Sequence, residues 1–469
     1  MSEASALNEV SGVKENKMGV MPMNKLLINM ALPMMISMLV QACYNIVDSV
    51  FVAQLQEGTD EAVSPALAAL GMAFPFQMLM IAFGTGLCVG VNAILSRALG
   101  EKDYDTVQKT ANNGVFLAAC NFVLFLVIGL FMSRTLIAAQ KATGLTLEYG
   151  TQYLTIVFCG SFGIFTQFIF ERLLQSTGKT IFSMFTQITG AVINIILDPI
   201  LIFGLFGMPE LKVAGAALAT VIGQICAGAL AIMLNHRHNE DVAVDLRGFR
   251  PDWGIIRKVY IVGFPSICMQ AIGSVMTFTM NRILTGLNPD AVSVFAVYFK
   301  LQSFFFMPTF GLNNGMVPIL AFNYGARKRK RMMQVIRLSM AYAFMLLLLG
   351  FALFQLIPDK LLLLFDPHQS GLSELGVPAL RIIAYHYLLA WFCIIGGSVF
   401  QALGNGLYSL IVSVARQLVV LLPVAYALAQ IGGLPLIWWC FPIAELMSLC
   451  VTAFFLVRIY RNVIRPIPE

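Results

Sequence analysis

Long stretches of mostly apolar residues recur along the whole chain, separated by short polar segments. A stretch of about twenty such residues crosses the hydrocarbon core of a bilayer as an α-helix, because a helix satisfies its own backbone hydrogen bonds. Charged residues make up only 12% of the 469 residues, against roughly 25% in soluble proteins. The chain is therefore predicted to be an all-α membrane protein.

The apolar pattern predicts twelve transmembrane helices. They are placed at residues 26–53, 65–97, 110–134, 149–174, 180–206, 213–235, 255–286, 291–323, 333–357, 378–402, 407–430 and 435–458. The first 25 residues are polar and do not have the apolar core of a cleavable signal peptide. We expect a cytoplasmic N-terminal tail (1–25), an N-lobe (26–235), a cytoplasmic linker (236–254), a C-lobe (255–460) and a cytoplasmic C-terminal tail (461–469).

Lysine and arginine are distributed unevenly between the two sides of this topology. One side carries Lys17, Lys109 and the run Arg327–Arg331, whereas the other has little more than residues such as Arg134 and Lys212. Cytoplasmic loops are enriched in these residues, so both termini are predicted to lie in the cytoplasm of a multi-pass cell-membrane protein. The basic run between two spans is expected to lie near anionic lipid rather than to bind nucleic acid.

The two halves of the chain resemble each other at a nearly constant offset. Seven residues recur 225 positions later and three recur 226 positions later: Phe74, Gln77, Gly86, Gly90, Ile94, Leu95 and Gly100 match Phe299, Gln302, Gly311, Gly315, Ile319, Leu320 and Gly325, and Gln175, Gly178 and Ser183 match Gln401, Gly404 and Ser409. Six spans separate the matched pairs, so the repeats have the same orientation. This predicts two pseudo-symmetric six-helix bundles around a central cleft, and the Gly-xxx-Gly pairs predict close helix contacts.

Polar residues form one stripe on the first predicted span. Ser37, Gln41, Tyr44, Asn45 and Asp48 follow helical spacing in a segment that is otherwise apolar. A carboxylate in hydrocarbon costs roughly 2.5–3.5 kcal/mol on insertion scales, so such residues usually face a cavity and mark an ion or substrate path. Asp48 is accordingly a candidate coupling residue, and Gln41, Tyr44 and Asn45 are candidates for lining the cavity.

A second stripe lies on the fifth span. Gln187, Asn194 and Asp198 share one helix face, and Asn194 precedes Asp198 by one turn. Pro199 has no backbone N–H and is expected to kink the helix or act as a hinge beside the acid. Counting from the helix starts, Asp48 and Asp198 are predicted to lie at one depth.

Two ion chemistries suit this pair of acids, and the residues alone do not choose between them. A buried carboxyl that is neutral when protonated and anionic when hydrated suits proton coupling. Asp48, Asp198 and the side-chain oxygen of Asn194 would also suit a hard cation such as Na⁺. The alternative is that each aspartate only forms a hydrogen bond to a neighbouring helix.

The second half carries different charges. Met280 and Val424 occupy the positions that match Asp48 and Asp198, while Lys300, Arg416 and Glu445 are placed near the midplane. These three form either a charge network that lines the cavity or a buried structural ion pair. Elsewhere, Glu171 and Arg172 are expected to snorkel from a helix end, and His386 is expected to be a packing residue.

Several functional classes have no motif in the sequence. We find no GxxxxGK[ST] phosphate loop, no HExxH, no GxSxG and no Cys/His metal cluster. The nine cysteines all fall within spans and are expected to be packing residues. The chain is therefore predicted to be neither an enzyme nor a protein that needs a cofactor or a resident metal.

Several segments together resemble the multidrug and toxic compound extrusion (MATE) family over essentially the whole chain. They are LPMMISMLVQACYNIVDSVFV, SRALGEKD, LQSTGKT, NIILDPILIFG, QALGNG and PIAELMS. The NIILDPILIF segment most resembles the MepA-like branch. The resemblance implies antiport of cationic or amphipathic compounds against H⁺ or Na⁺ by alternating access, with the first-lobe acids Asp48 and Asp198 as the coupling site. Some relatives bind sodium through acids on the seventh and tenth helices, and those spans have no acid here.

Three other functions fit these residues less well than export. A lipid-linked saccharide flippase of the same fold usually has a basic cavity, which the acidic first lobe does not favour. A membrane-embedded transferase needs a polar cluster at a membrane surface, and we find none in the sequence. A channel is a further alternative, but a two-fold repeat with buried acids fits a carrier better. We expect a monomeric exporter whose partners are its small-molecule substrates, a coupling ion and the bilayer.

Overall fold

The computed structural model describes residues 16–53, 65–140, 142–288, 290–363 and 372–468. Across these ranges the chain is helical and contains no strand, which confirms the all-α fold class. The side chains of Asn45 and Asp48 lie outside the described part, although their backbone belongs to a helix.

Helices follow one another along both halves of the chain. The first half forms α1 (Lys17–Val20), α2 (Met23–Ala53), α3 (Pro65–Glu101), α4 (Tyr104–Ala138), α5 (Gly144–Cys159), α6 (Phe162–Ser176), α7 (Thr180–Phe203) and α8 (Lys212–His238). The second half forms α9 (Trp253–Leu287), α10 (Asp290–Gly325), α11 (Arg329–Leu356), α12 (Pro358–Leu363), α13 (Leu372–Ala384), α14 (Tyr387–Ala402), α15 (Gly406–Val414), α16 (Leu422–Gly432), α17 (Leu434–Ile437) and α18 (Cys440–Ile459). We call α2–α8 the N-lobe and α9–α18 the C-lobe.

The helices account for the predicted spans. Ten segments of the described chain are long and apolar enough to cross a membrane, and two bent helix pairs bring the total to twelve when each pair counts as one span. The α15 and α16 helices belong to one such span and are joined by a π-helical segment, Ala415–Leu421. The predicted number of transmembrane helices is therefore confirmed.

The two bent spans reproduce the sequence repeat. The α5 and α6 helices meet at 44° across Gly160 and Ser161, and α13 and α14 meet at 52° across Tyr385 and His386. Gly160 and Tyr385 are 225 residues apart, which is the offset seen in the sequence. The two halves therefore share a backbone break as well as side-chain identities.

The repeated Gly-xxx-Gly pairs form contacts between the lobes. Cβ atoms at Gly86 and Gly90 would overlap the backbone of α9 at Gly263 and Val259. Cβ atoms at Gly311 and Gly315 would overlap the backbone of α2. The predicted close helix contacts are confirmed, and they join α3 to α9 and α10 to α2.

One contact between the lobes occurs twice in pseudo-symmetric form. A Cβ atom at Gly100 would overlap the carbonyl of Phe322, and one at Gly325 would overlap the carbonyl of Arg97. Both glycines and both carbonyl residues are related by the offset of 225. We call this reciprocal α3–α10 contact the seam. It lies at the membrane face that carries Lys109 and the run Arg327–Arg331, which we call the basic face.

The short helix α1 joins the lobes across the basic face. Met18 is fully buried, and its carbonyl accepts hydrogen bonds from Asn323 Nδ2 at 3.2 Å and from Arg331 Nη2 at 3.0 Å. On the N-lobe side, Asn16 Nδ2 donates to the carbonyl of Thr177 at 3.1 Å. The segment predicted to be a tail therefore contains, from residue 16 onward, a clasp that holds both lobes.

Equivalent helices of the two lobes begin differently. Asp103 caps α4, and its side chain accepts from the N–H of Thr106 at 3.1 Å. The hydroxyl of Thr106 also donates to the Asp103 carboxylate, at 2.6 Å. The two hydrogen bonds from Thr106, that of the hydroxyl first, lower the pKa of Asp103. Lys328, which is 225 residues later, precedes α11 without a capping hydrogen bond and instead donates to the carbonyl of Gly19 at 2.9 Å.

Candidate functional site

A buried carboxylate lies on α6 of the N-lobe. Glu171 is 3% exposed, and its Oε1 accepts hydrogen bonds from Gln167 Nε2 at 2.9 Å and from Thr186 Oγ1 at 2.7 Å. Its Oε2 accepts from Gln187 Nε2 at 2.9 Å. The expectation that Glu171 snorkels is wrong, because α7 supplies two donors that hold the carboxylate inside the lobe. All three donors are neutral amides or hydroxyls.

A second buried acid lies on α7. Asp198 is fully buried, and Asn194 Nδ2 lies 3.5 Å from its Oδ1. Asn194 Nδ2 also donates to Thr220 Oγ1 of α8 at 3.3 Å. Asn194 therefore lies beside Asp198, as their spacing of one helical turn predicts. The helix continues through Pro199 to Phe203, so the structure places no break at that proline and its role as a hinge stays a prediction.

The two N-lobe acids lie at different depths. Gln187, which binds Glu171, precedes Asp198 by 11 residues, or about 17 Å along a helix. Gln187 therefore belongs to the environment of Glu171 rather than to that of Asp198. Among the described residues, the lobe therefore holds one buried acid closer to the basic face and one farther from it.

The first residue of the polar stripe on α2 faces the protein interior. Ser37 is 1% exposed and donates to the carbonyl of Pro33 at 2.9 Å, while Gln41 and Tyr44 are half-buried. The side chains of Asn45 and Asp48 lie outside the described residues, so their predicted roles are not tested. The α2 and α7 helices pack against each other, which brings the two predicted stripes to neighbouring helices.

A large cavity lies on the C-lobe side of the cleft. It encloses about 620 Å³ and is lined mainly by α9, α10, α14, the π-helical segment and α18. Three N-lobe residues, Val89, Asn92 and Arg172, contribute to its wall. Arg172 Nη1 lies 3.4 Å from Asn314 Oδ1 across the lobes. Arg172, which was also expected to snorkel, therefore reaches the cavity.

The C-lobe charges fall into two groups. Arg416 Nη1 lies 3.2 Å from Glu445 Oε2, and both residues line the cavity. Their side chains are 31% and 4% exposed, respectively. The two predicted alternatives are thus combined, since the pair is an ion pair and also part of the lining. Lys300 is exposed and lies outside that lining, so its assignment to the cavity stays a prediction.

His386 packs against aromatic rings at the break between α13 and α14. It is 4% exposed, its Nδ1 lies 2.6 Å from the carbonyl of Ile383, and its ring centroid is 5.8 Å from that of Phe306. The expectation of a packing histidine is confirmed. The same ring is also part of the cavity wall.

Glu171 is the functional candidate that sequence reasoning missed. Its position near the end of a predicted span favours snorkelling, but Gln167 one turn earlier and Gln175 one turn later place polar residues along the same helix face. That stripe is as regular as those on the first and fifth spans. It could have marked the residue as buried.

Family and sequence comparisons cover most of the chain. The family profile described as MatE matches residues 33–200 and 265–427, one match in each half. The multidrug export protein MepA of Staphylococcus haemolyticus is 29% identical over 446 residues, which cover 93% of this chain and 94% of that protein. The protein of the same name from Staphylococcus aureus strain MRSA252 is 26% identical over 438 residues, with 93% of each chain covered.

Solved structures share the whole fold. A structure described as the outward-facing conformation of a multidrug resistance MATE family transporter of the MOP superfamily superposes with a TM-score of 0.89 at 25% identity, covering 97% of this chain and 99% of that one. A MOP superfamily transporter from Pyrococcus furiosus, whose binding pocket is described as reversed in polarity, superposes with a TM-score of 0.85 at 25% identity and the same coverage.

Proposed function

Because the chain belongs to the MatE family of multidrug and toxic compound extrusion transporters, we propose that it exports cationic or amphipathic small molecules in exchange for protons. The relatives named as multidrug export proteins support the direction and the cargo class. The observation that carries proton coupling is the burial of Glu171 and Asp198 in one lobe.

Within the described residues, Glu171 accepts hydrogen bonds from the neutral side chains of Gln167, Thr186 and Gln187, and the guanidinium of Arg172 interacts with it electrostatically without donating to it. A buried carboxylate without a cationic donor is costly while it is charged, and taking up a proton removes that charge. Asp198, fully buried and beside Asn194, is the second proton site of the proposal. Asp48 is proposed as a third, since α2 packs against α7.

The basic face is proposed to be cytoplasmic, since lysine and arginine are enriched in cytoplasmic loops. The seam and the α1 clasp close the lobes at that face. The described conformation would therefore be outward-facing, which agrees with the outward-facing transporter structure that it resembles. In this state the C-lobe cavity would communicate with the outside.

Alternating access then follows from a difference in protonation between two states. Protons bound at the N-lobe acids from outside would favour opening of the seam, and their release to the cytoplasm would be followed by uptake of substrate. Coupling requires that proton and substrate differ in affinity between these states. Opening must break the seam and the clasp together, because both join the lobes at one face.

Purified protein in liposomes tests this proposal. We expect ethidium to be transported when a pH gradient is imposed and not when a sodium gradient is imposed alone. Glu171→Gln and Asp198→Asn are each expected to abolish the pH-driven flux, because neither amide can take up a proton. Flux driven by sodium at constant pH would instead favour the cation alternative.

Asp105→Asn provides the matched control. Asp105 is an exposed acid of the same lobe that pairs with Lys109 at 2.6 Å on the surface of α4. Its replacement is expected to leave the flux unchanged. Wild-type flux in both Glu171→Gln and Asp198→Asn, with correct folding, would overturn the assignment of the coupling site.

A further inference from the structure

We propose that an apolar groove between the lobes binds one anionic phospholipid, with an acyl chain in the groove and the phosphate between Lys25 and Arg337. The groove encloses about 390 Å³ and lies between α2 of the N-lobe and α11 of the C-lobe. Among the described residues, it shares no lining side chain with the C-lobe cavity. The proposal goes beyond export, because the ligand is a component of the bilayer rather than a transported molecule.

The walls of the groove suit a hydrocarbon chain. The α2 and α11 helices both pack against α10, and the buried Leu312 of α10 lines the groove between them. The edges are formed by exposed apolar side chains, Ile28 and Leu32 on α2 and Met345 and Leu349 on α11. These edges meet the hydrocarbon of the bilayer, so an acyl chain is the apolar molecule that can enter. A chain bound there would contact both lobes.

The polar end of the groove lies toward the basic face. Both helices begin at that face, α2 at Met23 and α11 at Arg329. The hydroxyl of Tyr342, which lines the groove, donates a hydrogen bond to Asn24 Oδ1 in the first turn of α2. From this hydrogen bond the groove extends along apolar residues into the membrane. Its polarity thus changes along its length in the same order as that of a phospholipid.

Two exposed basic side chains flank this polar end. Lys25 precedes Ile28 and Leu32 by three and seven residues, and Arg337 precedes Met345 by eight. Side chains at these spacings share a helix face, so each cation lies before one edge of the groove. Neither α2 nor α11 has an acidic residue between its start and the groove. Basic pockets between transmembrane helices on the cytoplasmic side bind anionic headgroups, which identifies the charge of the lipid.

The pseudo-symmetric position in the other half of the molecule is covered by the chain itself. Phe116 and Asn112 of α4 correspond, at the offset of 225, to Ala341 and Arg337 of α11. The ring of Phe249, in the linker, lies 5.7 Å from that of Phe116. Asn112 forms two hydrogen bonds with the linker backbone, at 2.9 and 3.2 Å. The linker therefore supplies an apolar group and polar groups to this surface of α4.

The same surface of α11 has no such cover among the described residues, since Ala341 and Arg337 are both exposed. A phospholipid would supply the same two elements, with its chain beside position 341 and its headgroup at position 337. The polar partner differs in charge, because Arg337 replaces Asn112. A guanidinium binds phosphate oxygens through charge-assisted hydrogen bonds, so a phosphate suits this half as the linker backbone suits the other.

Native mass spectrometry of the purified full-length protein tests the proposal, with lipids titrated into detergent and no gradient or substrate. One probe is dioleoylphosphatidylglycerol, which is anionic. The other is dioleoylphosphatidylcholine, which has the same chains and no net charge. Two basic contacts are expected to make the Kd of the anionic lipid about thirtyfold lower than that of the zwitterionic lipid.

Charge variants test the headgroup site. Lys25→Gln and Arg337→Gln are each expected to raise the Kd of the anionic lipid about fivefold and to leave that of the zwitterionic lipid unchanged. The double variant should bind both lipids equally. Arg257→Gln is the matched control, because Arg257 is an exposed residue near the start of α9 that corresponds to Lys25 when Pro265 is aligned with Pro33. It should keep the preference of the wild type.

A second pair of variants tests the acyl-chain site. Met345→Trp places an indole at the edge of the groove and is expected to weaken binding of both lipids. Leu348→Trp changes an exposed residue of the same helix outside the lining, and it should weaken neither. Glycerol phosphate, which has the phosphate without the chains, should not displace dioleoylphosphatidylglycerol.

Several results would each overturn the proposal. In the wild type they are equal Kd values for the two lipids, no measurable bound phospholipid, or displacement by glycerol phosphate. In the variants they are a preference that survives in the Lys25 and Arg337 double variant, a preference lost in Arg257→Gln, or unchanged binding in Met345→Trp. Failure of the export proposal is distinguishable, because lipid binding is measured without ion gradients and ethidium flux is measured separately.

Discussion

In the N-lobe, Glu171 accepts hydrogen bonds from three neutral side chains, whereas in the C-lobe Glu445 is held by the guanidinium of Arg416. Both carboxylates are 3% exposed and lie in bundles that share a bent span and a repeated sequence. The first carboxylate has no cationic hydrogen-bond donor among the described residues, and the second has one. The shared scaffold thus carries two different chemistries.

The largest expected effect concerns which lobe couples transport to the gradient. Glu171→Gln and Asp198→Asn should abolish pH-driven export but retain exchange of labelled for unlabelled ethidium without a gradient. The double variant Arg416→Gln with Glu445→Gln changes the lining of the cavity, so it should alter the affinity for ethidium but keep the dependence of export on the pH gradient. Both activities are measured in the same liposomes. Driven export lost in the C-lobe variant and kept in the N-lobe variants would reverse the comparison.

The next effect concerns the seam, which the lobes share equally. Gly100→Ala and Gly325→Ala should each separate the lobes at the basic face, because the new Cβ atom overlaps a carbonyl of the other lobe. Spin labels at Lys109 and Arg337, in a background without native cysteines, would report a longer distance.

Gly71→Ala is the matched control for the seam, since no atom lies within 4 Å of the Cβ position at Gly71. Replacing glycine by alanine in a helix interior generally stabilises the helix by roughly 0.5–1 kcal/mol. A longer label distance in Gly100→Ala that is absent in Gly71→Ala therefore has to come from the contact between the lobes. An unchanged label distance in Gly100→Ala would contradict the assignment.

A smaller effect is the difference in how much the two buried carboxylates stabilise the folded protein. Glu445→Gln should lower the free energy of unfolding by about 2 kcal/mol, because it leaves Arg416 without its counter-charge. Breaking a fully buried pair costs about 3–5 kcal/mol, and the partial exposure of Arg416 keeps the loss below that range. The double variant with Arg416→Gln should recover most of this loss. Glu171→Gln should change stability less, since its donors are neutral. Thermal unfolding in one detergent measures all three, and equal losses would remove the distinction.

The smallest effect compares the starts of α4 and α11. Asp103→Ala should destabilise the protein by about 1 kcal/mol, the usual value of a helix cap, and Lys328→Ala should leave α11 unaffected because it has no cap there. The pKa of Asp103 is lowered, so its stabilisation is present above the ordinary value of about 3.9 and is lost as the pH falls through the lower folded value. Unfolding measured at pH values on both sides of 3.9 tests the sign. Equal stability of Asp103→Ala and wild type at neutral pH would contradict it.

The sequence was sufficient for the spans, the repeat and the glycine contacts, because each depends on periodicity or on a fixed offset. Position within a lobe depends on what the neighbouring helices supply. Glu171 lies near the end of its span, yet Thr186 and Gln187 of the next helix hold it inside. No count along one helix contains that information.

The C-lobe site was only partly predictable for a different reason. Arg416 and Glu445 are charges within apolar spans, so the sequence predicts either a charge network that lines the cavity or a buried structural ion pair. Lys300 looked equivalent by depth but is exposed. The π-helical segment that carries Arg416 has no sequence signature, and it changes the direction of the side chains that follow.

The reciprocal geometry of the seam has a kinetic consequence. Gly100 against Phe322 and Gly325 against Arg97 are two copies of one contact, so they contribute similar free energies and separate under the same relative rotation. A molecule in which one of these two contacts has separated would have lost half of the stabilisation that the seam provides, without gaining a continuous path through the membrane. Such half-open species should be sparsely populated, and single-molecule trajectories should consist of abrupt jumps between two levels, with leakage of ions kept low by the brevity of each crossing.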